Sequence, residues 1–142
     1  MKEPRAIILD TGPLVALTDE DDNRHEMCMR TLKKLPGGTA VYTVASVLAE
    51  AFWLLPKGKH SVDSVFNSLS LMGCRIVSLE SQDLLPAQEL LKKYSDLPMD
   101  FADCEICLAA EKLSIDTIFT LDRRDFLLYR PKHVRNYRII PE

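Results

Sequence analysis

Four consecutive apolar residues, Ala6-Ile7-Ile8-Leu9, run without a break into Asp10-Thr11-Gly12-Pro13. An apolar run that does not alternate with polar residues is the pattern of a strand covered on both faces. The turn that follows leads into a helix, because Pro13 suits a first turn, where a missing N–H costs nothing. A strand buried on both sides and followed at once by a helix points to a parallel sheet.

The rest of the chain repeats that grammar. After the acidic run Asp19-Glu20-Asp21-Asp22, a helix is expected to about Leu35, closed by Pro36-Gly37-Gly38. Val41 to Thr43 reads as a second strand and Val44 to Leu55 as a strongly apolar, buried helix stopped by Pro56 and Gly58. Ser61 to Met72 is amphipathic, with Val62, Val65, Phe66, Leu69 and Met72 at helical spacing. Arg75 to Leu79 is a third strand, and Glu80 to Tyr94 is helical, with Pro86 marking a kink or a later start. Phe101 to Leu113 is a helix, Thr117 to Thr120 a fourth strand, Arg123 to Leu128 a short helix, and Tyr137 to Ile140 a candidate edge strand. The expected architecture is α/β: a three-layer α/β/α sandwich around a central parallel sheet of four to five strands. With no internal repeat or linker in sight, residues 1–142 are expected to form a single domain.

Composition narrows the function classes. No apolar run reaches the roughly 18 residues a membrane span needs. The opening stretch is too short for a signal-peptide core, so Cys28, Cys74, Cys104 and Cys107 are expected as free thiols in a reducing cytoplasm. The formal net charge is −3, whereas proteins that bind nucleic acid by bulk electrostatics are strongly basic. Any contact with RNA or DNA must therefore use a local basic patch or bound cations.

Ligands of open parallel sheets bind beyond the carboxyl ends of the strands. Asp10 ends the first strand and Asp122 lies just past the fourth, so both should open onto one edge. Glu50 is the only charged side chain between Val44 and Leu55. A carboxylate on a buried helix needs a partner; a wet stripe or an arginine partner would also account for it. Asp100 and Asp103 lie three apart at a helix start and share a face. Capping explains Asp100, and Asp103, one turn in, is harder to explain that way. Asp122 could equally cap Arg123 to Leu128, with Asp125 at the capping-box position. Carboxylates packed together stay ionised only if a cation balances them, and all-oxygen ligation favours Mg²⁺ or Mn²⁺. Such ions serve phosphodiester cleavage. Competing chemistry is missing: the chain has no Gly-rich phosphate loop or nucleophile elbow, and His25, His60 and His133 are scattered and expected at the surface.

Cys104-x-x-Cys107 matches a redox spacing, but it lies inside a helix rather than at a helix N-terminus, and no second pair completes a zinc site. Asp19 to Asp22 lacks the glycine and the distal glutamate of a calcium loop. Arg123, Arg124, Arg130, Lys132, Arg135 and Arg138 form either a solvated basic tail or a rim that contacts phosphates.

Four segments, taken in order, resemble the PIN-domain ribonucleases, and among them the VapC-type toxins of bacterial toxin–antitoxin pairs. They are Ile7 to Leu17, Thr43 to Glu50, Met99 to Cys104 with Ala109-Ala110-Glu111, and Thr120 to Phe126. Together they span nearly the whole chain. The resemblance implies a PIN-like fold and a Mg²⁺- or Mn²⁺-dependent endoribonuclease. Asp10, Glu50, Asp103 and Asp122 match its metal-binding catalytic acids. Thr120 would orient a carboxylate or a metal-bound water, with Thr11, Ser46 and Asp100 in support and Arg123 and Arg124 on the RNA. Cys104 stands where alanine is more usual, which alters packing and not chemistry. The implied partners are an RNA substrate, a second copy of the chain and a cognate antitoxin, with no membrane. Two other readings remain: a catalytically silent PIN-like module that binds RNA or protein, and a Mg²⁺-dependent phosphotransfer receiver domain. The latter would need a phosphoacceptor aspartate after a middle strand and a late lysine; Leu79-Glu80 follows the third strand instead.

Overall fold

The computed structural model describes residues 2–142. In chain order the elements are β1 (Ala6–Leu9), α1 (Thr11–Thr18), α2 (His25–Lys34), β2 (Ala40–Val44), α3 (Ala45–Leu54) and α4 (Lys59–Leu71). There follow β3 (Arg75–Val77), a 3-10 turn (Ser81–Asp83), α5 (Leu84–Lys93), α6 (Phe101–Leu113), β4 (Thr117–Phe119), α7 (Arg123–Leu128) and β5 (Arg138–Ile140). The five strands form one sheet in the order β3-β2-β1-β4-β5, and every pair is parallel.

Burial follows the pattern expected of doubly covered strands. Ile7, Ile8, Leu9, Ile118 and Phe119 are all fully buried, so neighbouring residues on opposite faces of the sheet are equally dry. The order of strands explains how. From β1 the chain steps outward to β2 and β3, then returns across β1 to β4 and β5. Right-handed crossovers put the helices of these two excursions on opposite faces. In agreement, α1 packs on α2, α3 and α4, while α5 packs on α6.

Helix ends follow local chemistry. Asp10 caps α1, and Pro13 lies in its first turn. Pro86 is the third residue of α5, so it marks a later start rather than a kink. Asp100 caps α6, accepting the Asp103 N–H at 2.8 Å, and α6 ends on Ser114 in the left-handed region (φ 54).

The second helix begins at His25, after the acidic run as expected, where Asp19 and Asp22 each fold their side chains onto a nearby backbone N–H in turns. One expectation needs correction. The apolar helix α3 is not a buried one: only Val47 and Ala51 are buried, while Trp53 and Leu54 are 79% and 58% exposed. Its inner stripe meets α1, α6 and β2, which leaves the remaining apolar side chains facing outward.

Candidate active site

The sheet changes direction between β1 and β4, and in an open parallel sheet the crevice beyond the strand ends at such a point is where ligands bind. The ladder continues one residue past each strand: the Asp10 N–H donates to the Phe119 carbonyl at 2.9 Å, and the Thr120 N–H to the Ile140 carbonyl at 3.0 Å. Asp10 and Thr120 are thereby held beside each other. Gly12 allows the start of α1 to sit close to β4's exit, since a Cβ there would lie 3.2 Å from Leu121.

Asp10 is 4% exposed and both its oxygens are engaged. Oδ1 accepts the Thr11 N–H at 2.8 Å and Oδ2 accepts the Thr120 hydroxyl at 2.7 Å. The Thr120 oxygen in turn accepts the Asp122 N–H at 2.9 Å, so one hydroxyl ties two acidic positions together. The Thr11 hydroxyl donates to Glu50 Oε2 at 3.0 Å. The partner expected for Glu50 is therefore a threonine, and the side chain is half-buried at the crevice edge rather than enclosed. Asp103, 8% exposed, accepts the Tyr129 hydroxyl at 3.0 Å on Oδ2. Asp122 stands at the N-cap position of α7 but makes no side-chain capping bond, and its carboxylate is solvent-facing.

The acids feel one another. Burial is the main force that pushes the Asp10 carboxyl up to about 6; the hydrogen bonds from Thr120 and Thr11 oppose it, and the charges of Asp122 and Glu50 add to it. Burial, then the charges of Asp100 and Asp10, push Asp103 up to about 7. Asp122 is raised by partial burial and by Asp125, with Arg24 pulling the other way. The charges of Asp122 and Glu50 thus act on Asp10, and that of Asp10 on Asp103. Among the described residues none of the four predicted acids forms an ion pair.

Whether this set suits a divalent cation can be judged from its donors. Among the described residues no group of three or more His, Cys, Asp or Glu side chains is close enough together to hold a metal ion directly. A hydrated Mg²⁺ does not need one, since it keeps several waters and takes one or two carboxylates directly. The donors are all oxygen, and among the described residues Glu50 Oε1, Asp103 Oδ1 and the Asp122 carboxylate accept no hydrogen bond and none of these acids is ion-paired. The residues fit a hard, hydrated ion.

Ser46 turns away from the acids: its N–H and hydroxyl both donate to Glu105 Oε1, at 3.0 and 2.7 Å. Asp100 is engaged in its cap, with its charge still felt at Asp103 and Asp122. Arg123 and Arg124 are exposed and line an open depression with Leu121, Asp122, Asp125 and Leu127. His25 and His133 are half-buried, not at the surface, because each ring meets a backbone carbonyl, Ala16 and Ile115, at 2.7 Å. Cys104 and Cys107 are buried free thiols, and burial pushes them up to about 11 and about 12, unlike a reactive thiolate.

Three residues of the neighbourhood were not anticipated. Tyr129 and Arg24 carry no local signal, since one lies in the exit of α7 and the other in a turn. Glu105 did carry one. It is a lone glutamate within Cys104 to Ala110, the same pattern that drew attention to Glu50.

A family profile described as PIN domain matches residues 7–131. The ribonuclease VapC26 of Mycobacterium tuberculosis is 25% identical over 137 residues, which cover 95% of this chain and 100% of the relative. The crystal structure of VapC20 from the same organism, a toxin described as cleaving the sarcin–ricin loop, superposes with a TM-score of 0.75. That match is 25% identical and covers 91% of this chain and 98% of VapC20. VapBC2 from Rickettsia felis, bound to a promoter DNA fragment, matches with a TM-score of 0.63 at 17% identity, covering 94% and 96% of the two chains. FitAB, bound to a DNA fragment, matches at 0.61 and 23%, covering 84% and 87%. These last two likenesses concern the fold alone.

Proposed function

This chain belongs to the PIN domain family, and from that premise we propose that it is a Mg²⁺- or Mn²⁺-dependent endoribonuclease, the toxin half of a toxin–antitoxin pair. One observation supports the reading most: at the sheet's switch point Asp10 feels the charges of Asp122 and Glu50 and Asp103 feels that of Asp10, and among the described residues none of the four forms an ion pair. The full-length similarity to a ribonuclease supports the substrate class. With the family known, the receiver alternative falls away.

Asp10, Glu50, Asp103 and Asp122 would hold the ion. When bound, it supplies an activated water and neutralises charge on the phosphodiester. The chain's own hydroxyls set the geometry. Thr120 fixes Asp10 and the backbone of Asp122, Thr11 fixes Glu50, and Tyr129 fixes Asp103. Arg123 and Arg124, beside Asp122 on open surface, are placed to receive neighbouring phosphates.

Further parts of the proposal rest on surface and composition. Residues 1–142 act as one nuclease domain. Trp53, Leu54, Val62 and Phe66 are exposed apolar side chains of α3 and α4, which supports a homodimer. The nearly full-length likeness to VapC20, which is described as a toxin, supports a cognate antitoxin. Free thiols throughout suit a cytoplasmic setting, and among the described residues no helix is long and apolar enough to cross a membrane.

The test is direct. Purified protein with Mg²⁺ or Mn²⁺ should cut loop-containing RNA, first of all the sarcin–ricin loop that VapC20 is described as cleaving. Asp10→Asn should slow cleavage by roughly a hundredfold or more, and a co-purified antitoxin should suppress it. Undiminished cutting in excess EDTA would end the metal reading. A folded wild type that binds RNA but never cuts it would favour the silent module.

A further inference from the structure

Glu105 lies outside the acidic cluster and yet is as dry as Asp10 and Asp103, at 6% exposure. Among the described residues it forms no ion pair. A buried carboxylate is retained at a cost unless something in the fold needs it. Its Oε1 accepts two bonds from one residue, the Ser46 N–H at 3.0 Å and the Ser46 hydroxyl at 2.7 Å.

Ser46 is the second residue of α3, and that helix start lacks the usual furniture. Val44 occupies the N-cap position and has no side-chain acceptor, and the first turn contains no acid. The free N–H groups and the positive end of the helix dipole call for an acceptor there. Glu105 provides it from α6, 59 residues away in sequence. The bond therefore joins the helix that bears Glu50, one turn beyond Ser46, to the helix that bears Asp103, two residues before Glu105. No other side-chain hydrogen bond among the described residues connects these two helices.

We propose that Glu105 is a positioning residue that caps α3 in trans and thereby sets Glu50 against Asp103 at the spacing the divalent cation needs. This rests on the metal-site reading above. Glu105 does not touch the ion or the RNA; it acts through the placement of α3. What matters is an oxygen that accepts two hydrogen bonds, so a neutral amide oxygen should serve nearly as well.

The experiment is isothermal titration of Mn²⁺ into the wild type and into Glu105→Ala, Glu105→Gln, Ser46→Ala and Asp10→Asn, with metal-free melting recorded for each. Glu105→Ala should bind Mn²⁺ about tenfold more weakly, and its cleavage rate at saturating Mn²⁺ should return near the wild-type value. Glu105→Gln should stay within about twofold, and Ser46→Ala, which keeps the backbone bond, should fall between. A folded Glu105→Ala with wild-type Mn²⁺ affinity overturns the proposal, since the contact is then a mere fold staple. Glu105→Gln as weak as Glu105→Ala also overturns it. Should Glu105→Ala fail to fold, wild-type affinity in Ser46→Ala is the overturning result. The two levels fail differently: Asp10→Asn binding Mn²⁺ as well as the wild type removes the metal site itself.

Discussion

Asp10 has no idle oxygen, and its hydroxyl and amide donors still fail to offset its burial. That imbalance has a measurable sign. The Asp10 and Asp103 carboxyls sit at about 6 and about 7 in the folded chain against an ordinary 3.8, so between about pH 4 and 7 the folded state holds more protons than the unfolded one. Stability from these groups is present at the acid end of that window and lost as pH rises through it. For Asp10 the rise corresponds to on the order of 3 kcal/mol against the ionised form. The metal-free protein in EDTA should therefore melt at a lower temperature at pH 7.5 than at pH 5, and excess Mg²⁺ or Mn²⁺ should close most of that gap. A melting temperature that climbs from pH 5 to 7.5 in EDTA would contradict the shifts.

Helices α3 and α6 show how far element-level reading reaches. The bounds of α6 follow from its sequence, Phe101–Leu113, because Asp100 caps locally and the apolar stripe is regular. The identity of α3 as a helix was equally plain, but its exposure was not, since apolar composition says nothing about which residues a neighbouring element will cover. The lone-charge argument applied to α3 found Glu50, which is half-buried, and overlooked Glu105 on α6, which is dry. α7 carries a prediction of its own. Arg123 and Arg124 are exposed at its first turn, next to Asp122. If they contact phosphates, Arg123→Ala/Arg124→Ala should weaken RNA binding and reduce the slope of log affinity against log salt by up to about 1.4. Binding isotherms at several salt concentrations measure it, and an unchanged slope would leave the pair as ordinary surface charge.

For the molecule as a whole, a net charge of −3 opposes RNA, so on the proposed reading local basic side chains and a bound cation would have to overcome the overall field. The same surface view bears on assembly. Trp53 and Phe66 are 79% and 55% exposed on neighbouring helices, and Phe52 packs its ring 5.9 Å from that of Phe66. On the dimer proposed above, a second copy would cover this patch. Sedimentation velocity at tens of micromolar should give twice the chain mass for the wild type and the chain mass for Trp53→Glu. A monomeric wild type would remove the dimer.

Reading residues alone was enough for the strand–helix alternation, the all-parallel sheet and the acids at strand ends. Those features arise from local periodicity and from connection rules that act between consecutive elements. The bonds that make the acids a site needed the folded chain. Thr120 reaches Asp10 across 110 positions, Glu105 reaches Ser46 across 59, Glu50 meets Thr11 across 39 and Tyr129 meets Asp103 across 26. Periodicity cannot encode pairings at such separations. They exist because β4 pairs with β1, which sets Thr120 beside Asp10, and because α3 packs on both α1 and α6, which brings Glu50 to Thr11 and Ser46 to Glu105.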